Sequence, residues 1–64
     1  MDPDATYADM LSAQAAGYHQ AAREHAQNLL AWLGRGGFPP KGMTRNEARD
    51  AATRIANRPR NRNR

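Results

Sequence analysis

Two histidines, a glycine-rich loop and a closing run of arginines are the parts of this 64-residue chain whose residue types could do chemistry. His19 and His25 would be the metal ligands or proton carriers. On one helix, six positions at 100° per residue turn them about 120° apart, so a single chain cannot close a metal site with them. His19 falls on a polar face. His25 falls on an apolar stripe beside Tyr18 and Leu29, where it reads as a structural histidine, and between two copies of the chain it would be placed to sense pH. The segment Gly34-Arg35-Gly36-Gly37-Phe38-Pro39-Pro40-Lys41-Gly42 resembles a phosphate loop only in its glycine content. It lacks the preceding strand and the lysine-then-hydroxyl ending, so it reads as a connector anchored by Phe38. Pro39-Pro40 is too short for a PxxP ligand. No nucleophile is spaced with a base and no carboxylates are paired across a pocket, so neither catalysis nor a cofactor is expected.

The arginines give the stronger signal. The chain carries ten basic and six acidic side chains for a net charge of +4. All of that net charge lies in Arg58-Pro59-Arg60-Asn61-Arg62-Asn63-Arg64, because residues 1–57 balance six bases against six acids. Guanidinium groups hold phosphate oxygens bidentately, and the asparagines add neutral hydrogen bonds, so Arg58, Arg60, Arg62 and Arg64 are the candidate contacts to RNA or DNA. Arg54, Arg35 and Lys41 could widen that footprint. Asparagine alternation and Pro59 oppose a helix, so the arm is expected to be disordered until it binds. The plain alternative is a solubilising terminus.

The elements that would carry these residues are helical. Asp2 is a good N-cap, Pro3 suits the first helical position, and Asp4 and Asp9 lie toward the positive end of the dipole. From there to Leu33 no proline intervenes and alanine abounds, which predicts one long helix over about residues 3–33, roughly 45 Å at 1.5 Å per residue. Its apolar positions recur by elevens: Tyr7, Tyr18 and Leu29; Met10, Ala21 and Trp32; Leu11, Ala22 and Leu33. That period suits a nearly straight helix. Gly17 weakens it by about 1 kcal/mol, which close approach of another backbone and tolerated sequence drift explain equally well. Gly34 is the expected left-handed cap, and the glycines and prolines after it make a turn. Thr44-Arg45-Asn46-Glu47 spells a capping box and opens a second helix over about 45–57, with Ala48, Ala51, Ala52 and Ile55 on one face. Arg45 and Arg49 flank that face, and Arg54 points away with Glu47 and Asp50.

The fold class is therefore all-α: a helical hairpin over residues 1–57 with unequal arms, followed by the arm 58–64. A second helix of about 20 Å reaches Leu29, Trp32 and Leu33, with Phe38 and Met43 in the corner. It leaves Tyr7, Met10, Leu11, Gln14, Tyr18, Ala22 and His25 as a candidate partner interface. A second copy is the simplest cover, giving an antiparallel four-helix dimer. Charge agrees, since residues 1–31 set Asp2, Asp4, Asp9 and Glu24 against Arg23, whereas residues 32–57 are net basic. A chain this short without cysteine gains stability most readily from such a partner. The acidic opening Met1-Asp2-Pro3-Asp4 is unlike a signal peptide and no apolar run spans a bilayer, so cytoplasmic residence without membrane contact is expected. Two roles are compatible with this reading. One is an accessory protein whose helices self-associate or dock on a larger partner while the arm grips nucleic acid. The other is a protein-binding adaptor or inhibitor, of the kind a phage or mobile element encodes, acting through the stripe alone.

Overall fold

The computed structural model describes residues 1–57; the arginine arm, 58–64, lies outside the described residues. Among these the chain forms three α-helices and no strand: α1 (Pro3–Ala16), α2 (His19–Gly34) and α3 (Arg45–Ala56). The starts follow local chemistry. Asp2 Oδ1 accepts from the backbone N–H groups of Asp4 and Ala5 at 3.0 and 3.5 Å, with Pro3 in the first turn. Thr44 Oγ1 accepts from Glu47 N–H at 3.1 Å while Glu47 Oε1 accepts from Thr44 N–H at 2.9 Å, a complete capping box. α3 ends one residue earlier than expected, at Ala56, with Asn57 as its cap.

The long helix over residues 3–33 does not form. The chain breaks at Gly17, which takes φ +84°, and doubles back. Tyr18 N–H donates to Ala13 C=O at 2.8 Å and Gly17 N–H to Gln14 C=O at 3.2 Å. These are the paired bonds of a Schellman motif, which satisfy carbonyls that a helix end would otherwise leave bare. Gly17 is thus required for its left-handed backbone, not for a close neighbour: a Cβ built there meets nothing within 4 Å. The described chain is 37 Å in its longest dimension, short of the roughly 45 Å a continuous helix would need.

α1 consequently lies antiparallel along α2, and α3 packs on α2 as well. Ala26, Leu29 and Leu33 of the central helix form one buried cluster with Met10 of α1 and Ala48 and Ala52 of α3, and Ala13 of α1 and Ala22 of α2 are buried as well. Tyr7, Leu30, Trp32, Met43 and Ile55 close over the edges. Five of the eight buried core residues are alanine, so little apolar area per residue is removed from water.

This folding-back also answers two arguments for a second copy. Met10 and Ala13 of the stripe on residues 3–16 are covered by the chain itself, and Asp4 of the first helix reaches the turn in cis, where its Oδ1 accepts from the Lys41 backbone N–H at 2.5 Å.

Candidate nucleic-acid interface

The connector between α2 and α3 is built from glycine geometry and one indole ring. Gly34, the expected left-handed cap, is helical. The left-handed residue is Gly36, at φ +89°. Gly36 N–H donates to Leu33 C=O at 3.1 Å and Gly37 N–H to Trp32 C=O at 2.9 Å, a second Schellman pattern two residues beyond Gly34. That choice follows from Gly37. A Cβ there would lie 2.3 Å from Trp32 Cε2, so the backbone of Gly37 rests directly on the indole and admits no side chain. Gly37→Ala is expected to lift the loop off the ring at a cost of about 1–3 kcal/mol. A lower thermal midpoint and red-shifted emission from Trp32, the chain's one tryptophan, would record it.

Beyond this contact the loop presents an aromatic ring. Trp32 Nε1–H donates to Phe38 C=O at 2.8 Å, and the two rings meet edge to face with centroids 5.6 Å apart and planes at 73°. Phe38 is nevertheless 59% exposed. It is not the buried anchor of the corner; Pro40, buried, and Met43, half-buried, occupy that place. Arg35 and Lys41, both exposed, stand three residues to either side of Phe38. Arg45, exposed and flanking the apolar face of α3, reaches back to α2, where its Nη1 donates to Leu33 C=O at 2.6 Å. A cation there complements the negative end of the α2 dipole.

The remaining basic candidates lie elsewhere. Arg54 is exposed in the last turn of α3, close to where the arm begins. Twelve helical residues separate the Thr44 end of α3 from the Asn57 end, about 18 Å at 1.5 Å per residue. Arg35 and Lys41 therefore do not form one patch with Arg54. The candidates make two cationic points at opposite ends of α3. Arg58, Arg60, Arg62 and Arg64 fall outside the described residues.

The expected partner interface is divided by the hairpin. Met10 and Ala22 are fully buried between α1 and α2, and Tyr7 packs against the same core. His25 and Gln14 are half-buried, and Gln14 Oε1 is buried with no hydrogen-bond partner. Only Leu11 and Tyr18, 44% and 68% exposed, keep large apolar surface in solvent. His19 is exposed, and among the described residues no group of three or more His, Cys, Asp or Glu side chains is arranged to hold a metal ion. No described helix is long and apolar enough to cross a membrane.

Compared with known proteins, the chain matches no family model, and no curated protein or solved structure matches it significantly. The reading of function therefore rests on its own residues.

Phe38 is the residue that periodicity missed. The expectation from spacing, that Tyr7, Trp32 and Phe38 are core residues and not a stacking platform for bases, fails at Phe38. The available signal was its setting, an aromatic between two glycines and two prolines, where no helical face exists to bury it.

Proposed function

We propose that this is a small non-catalytic nucleic-acid-binding accessory protein, with a three-helix body that serves to present the arginine arm to phosphates. The observation that carries the reading is the placement of charge: residues 1–57 are formally neutral, and the whole excess of +4 belongs to Arg58, Arg60, Arg62 and Arg64. Two features of the body support it. The capping box fixes the start of α3, the helix that precedes the arm in sequence, and Arg54 adds an exposed cation in its last turn. Self-association or docking on a larger protein fits the small alanine-rich core, and Leu11 and Tyr18 are exposed apolar side chains of the expected interface that remain available for it. The adaptor reading is weaker, because the hairpin withdraws Met10 and Ala22 from any partner.

The test is a titration of labelled DNA and RNA with the full chain and with a full-length variant carrying Arg58→Gln, Arg60→Gln, Arg62→Gln and Arg64→Gln. Four phosphate contacts should give the wild type a roughly 100-fold loss of affinity between 50 and 200 mM salt. The variant should bind weakly and lose most of that salt dependence while melting like the wild type. Equal binding by the two chains would overturn the proposal.

A further inference from the structure

We infer that the loop between α2 and α3 is a second contact point, at which Phe38 stacks on a base of single-stranded nucleic acid while Arg35 and Lys41 hold the flanking phosphates. The inference rests on the nucleic-acid reading above and names the strand type and the residues that would recognise it.

Three observations meet at this loop. First, a large ring is held out in water by a framework that fixes it: Gly37 lies on the indole, Trp32 Nε1–H bonds Phe38 C=O, and the two rings interlock edge to face. A ring fixed in this way loses little conformational freedom on binding, which is what makes preorganised contacts strong. Second, the ring stands between two exposed cations, Arg35 and Lys41. No acid occurs in the sequence between Glu24 and Glu47. An aromatic face flanked by positive charge is the pattern that suits a base with a phosphate on either side. A purely apolar partner would leave both cations without a role.

Third, the nearby acids decide between strand types. The fold brings Asp4 to the loop through its bond from Lys41 N–H, with Asp2 capping the same helix end. A rigid duplex laid across this end would press its regularly spaced phosphates toward those carboxylates. A single strand can turn its backbone away from them and offer an unstacked base to the ring. The loop and the arm's point of attachment lie at opposite ends of α3, about 18 Å apart at 1.5 Å per residue. One strand of several nucleotides could therefore engage both.

The experiment titrates the full chain with an oligothymidylate of about 12 nucleotides, within the range of single-strand site sizes, and with a duplex of equal length. Anisotropy and the emission of Trp32 are followed together. Phe38→Ala is expected to weaken single-strand binding about tenfold and to leave duplex binding unchanged, with quenching of Trp32 by the single strand lost. Phe38→Tyr should restore both signals, and Phe38→Leu should not. Circular dichroism establishes that each variant is folded, and the tyrosine variant keeps the comparison decisive if the alanine variant is not. Unchanged single-strand affinity in Phe38→Ala would overturn the inference, as would full affinity in Phe38→Leu, which would mark an apolar contact such as a protein surface. In either case, loss of binding in the four-arginine variant would leave the arm's role standing. Failure of the wild type to bind any strand would defeat both.

Discussion

Replacing Leu29 with alanine is expected to leave the chain largely unfolded at 25 °C. Leu29 and Met10 are the largest side chains with no accessible surface among the described residues, and they belong to one buried cluster that joins α1 to α2. The other fully buried positions, Ala22, Ala26, Ala48 and Ala52, add little apolar area apiece. A core in a chain of this size rarely supplies more than about 3–5 kcal/mol, and truncating a buried leucine to alanine costs about 2–5 kcal/mol. The two ranges overlap, so one substitution can remove the whole margin. Far-UV circular dichroism should show a large loss of helix and no cooperative melt. Leu30→Ala, at the half-buried edge of the same helix, should lower the midpoint and keep the transition. A Leu29→Ala chain that melts within a few degrees of the wild type would mean that stability comes from elsewhere, as from a second copy.

What could be read from the residues in advance was what local chemistry decides. Asp2, Pro3, Thr44 and Glu47 act within three or four residues of themselves, and both helix starts they mark are where the chain begins its helices. The break at Gly17 was not legible for a physical reason. A mid-helix glycine costs only about 1 kcal/mol, and the eleven-residue stripe that suggested a straight helix is equally the stripe of two helices that face each other across a turn. Contact between Met10 and the Ala26–Leu29 region distinguishes them, and that contact is long-range. The alanines at 13, 22 and 26 were the available clue, since small residues at facing positions let backbones approach. In the loop the difficulty was different. Glycine at 34, 36 and 37 allowed several caps, and selection among them depends on the Trp32 ring, whose position follows only from the assembled fold. Phe38 inherits its exposure from that same selection.

Gly17→Ala is expected to convert much of the protein into an exchanged dimer. Nothing lies within 4 Å of a Cβ at this position, so the substitution adds no clash and acts through backbone conformation alone. Holding alanine at the left-handed φ of +84° costs about 1–2 kcal/mol relative to glycine. In a continuous helix the same alanine is favoured over glycine by about 1 kcal/mol. Together these bias each chain by about 2–3 kcal/mol toward running α1 straight into α2. Such an open chain exposes Met10, Ala13, Ala22 and Ala26, and a second open chain recovers those contacts by laying its own α1 on the first chain's α2. The exchanged pair contains two such hinges, so the dimerisation constant should rise about a thousand- to twenty-thousand-fold over the wild type. Sedimentation over a range of concentrations measures it, and Gly17→Asn provides the control, because asparagine tolerates the left-handed region and should shift the equilibrium far less. The outcome also bears on why the hairpin exists. An alanine variant that dimerises would show that Gly17 selects between two ways of burying one stripe, in cis or between copies. Unchanged sedimentation in Gly17→Ala would place the choice in the α1–α2 packing itself.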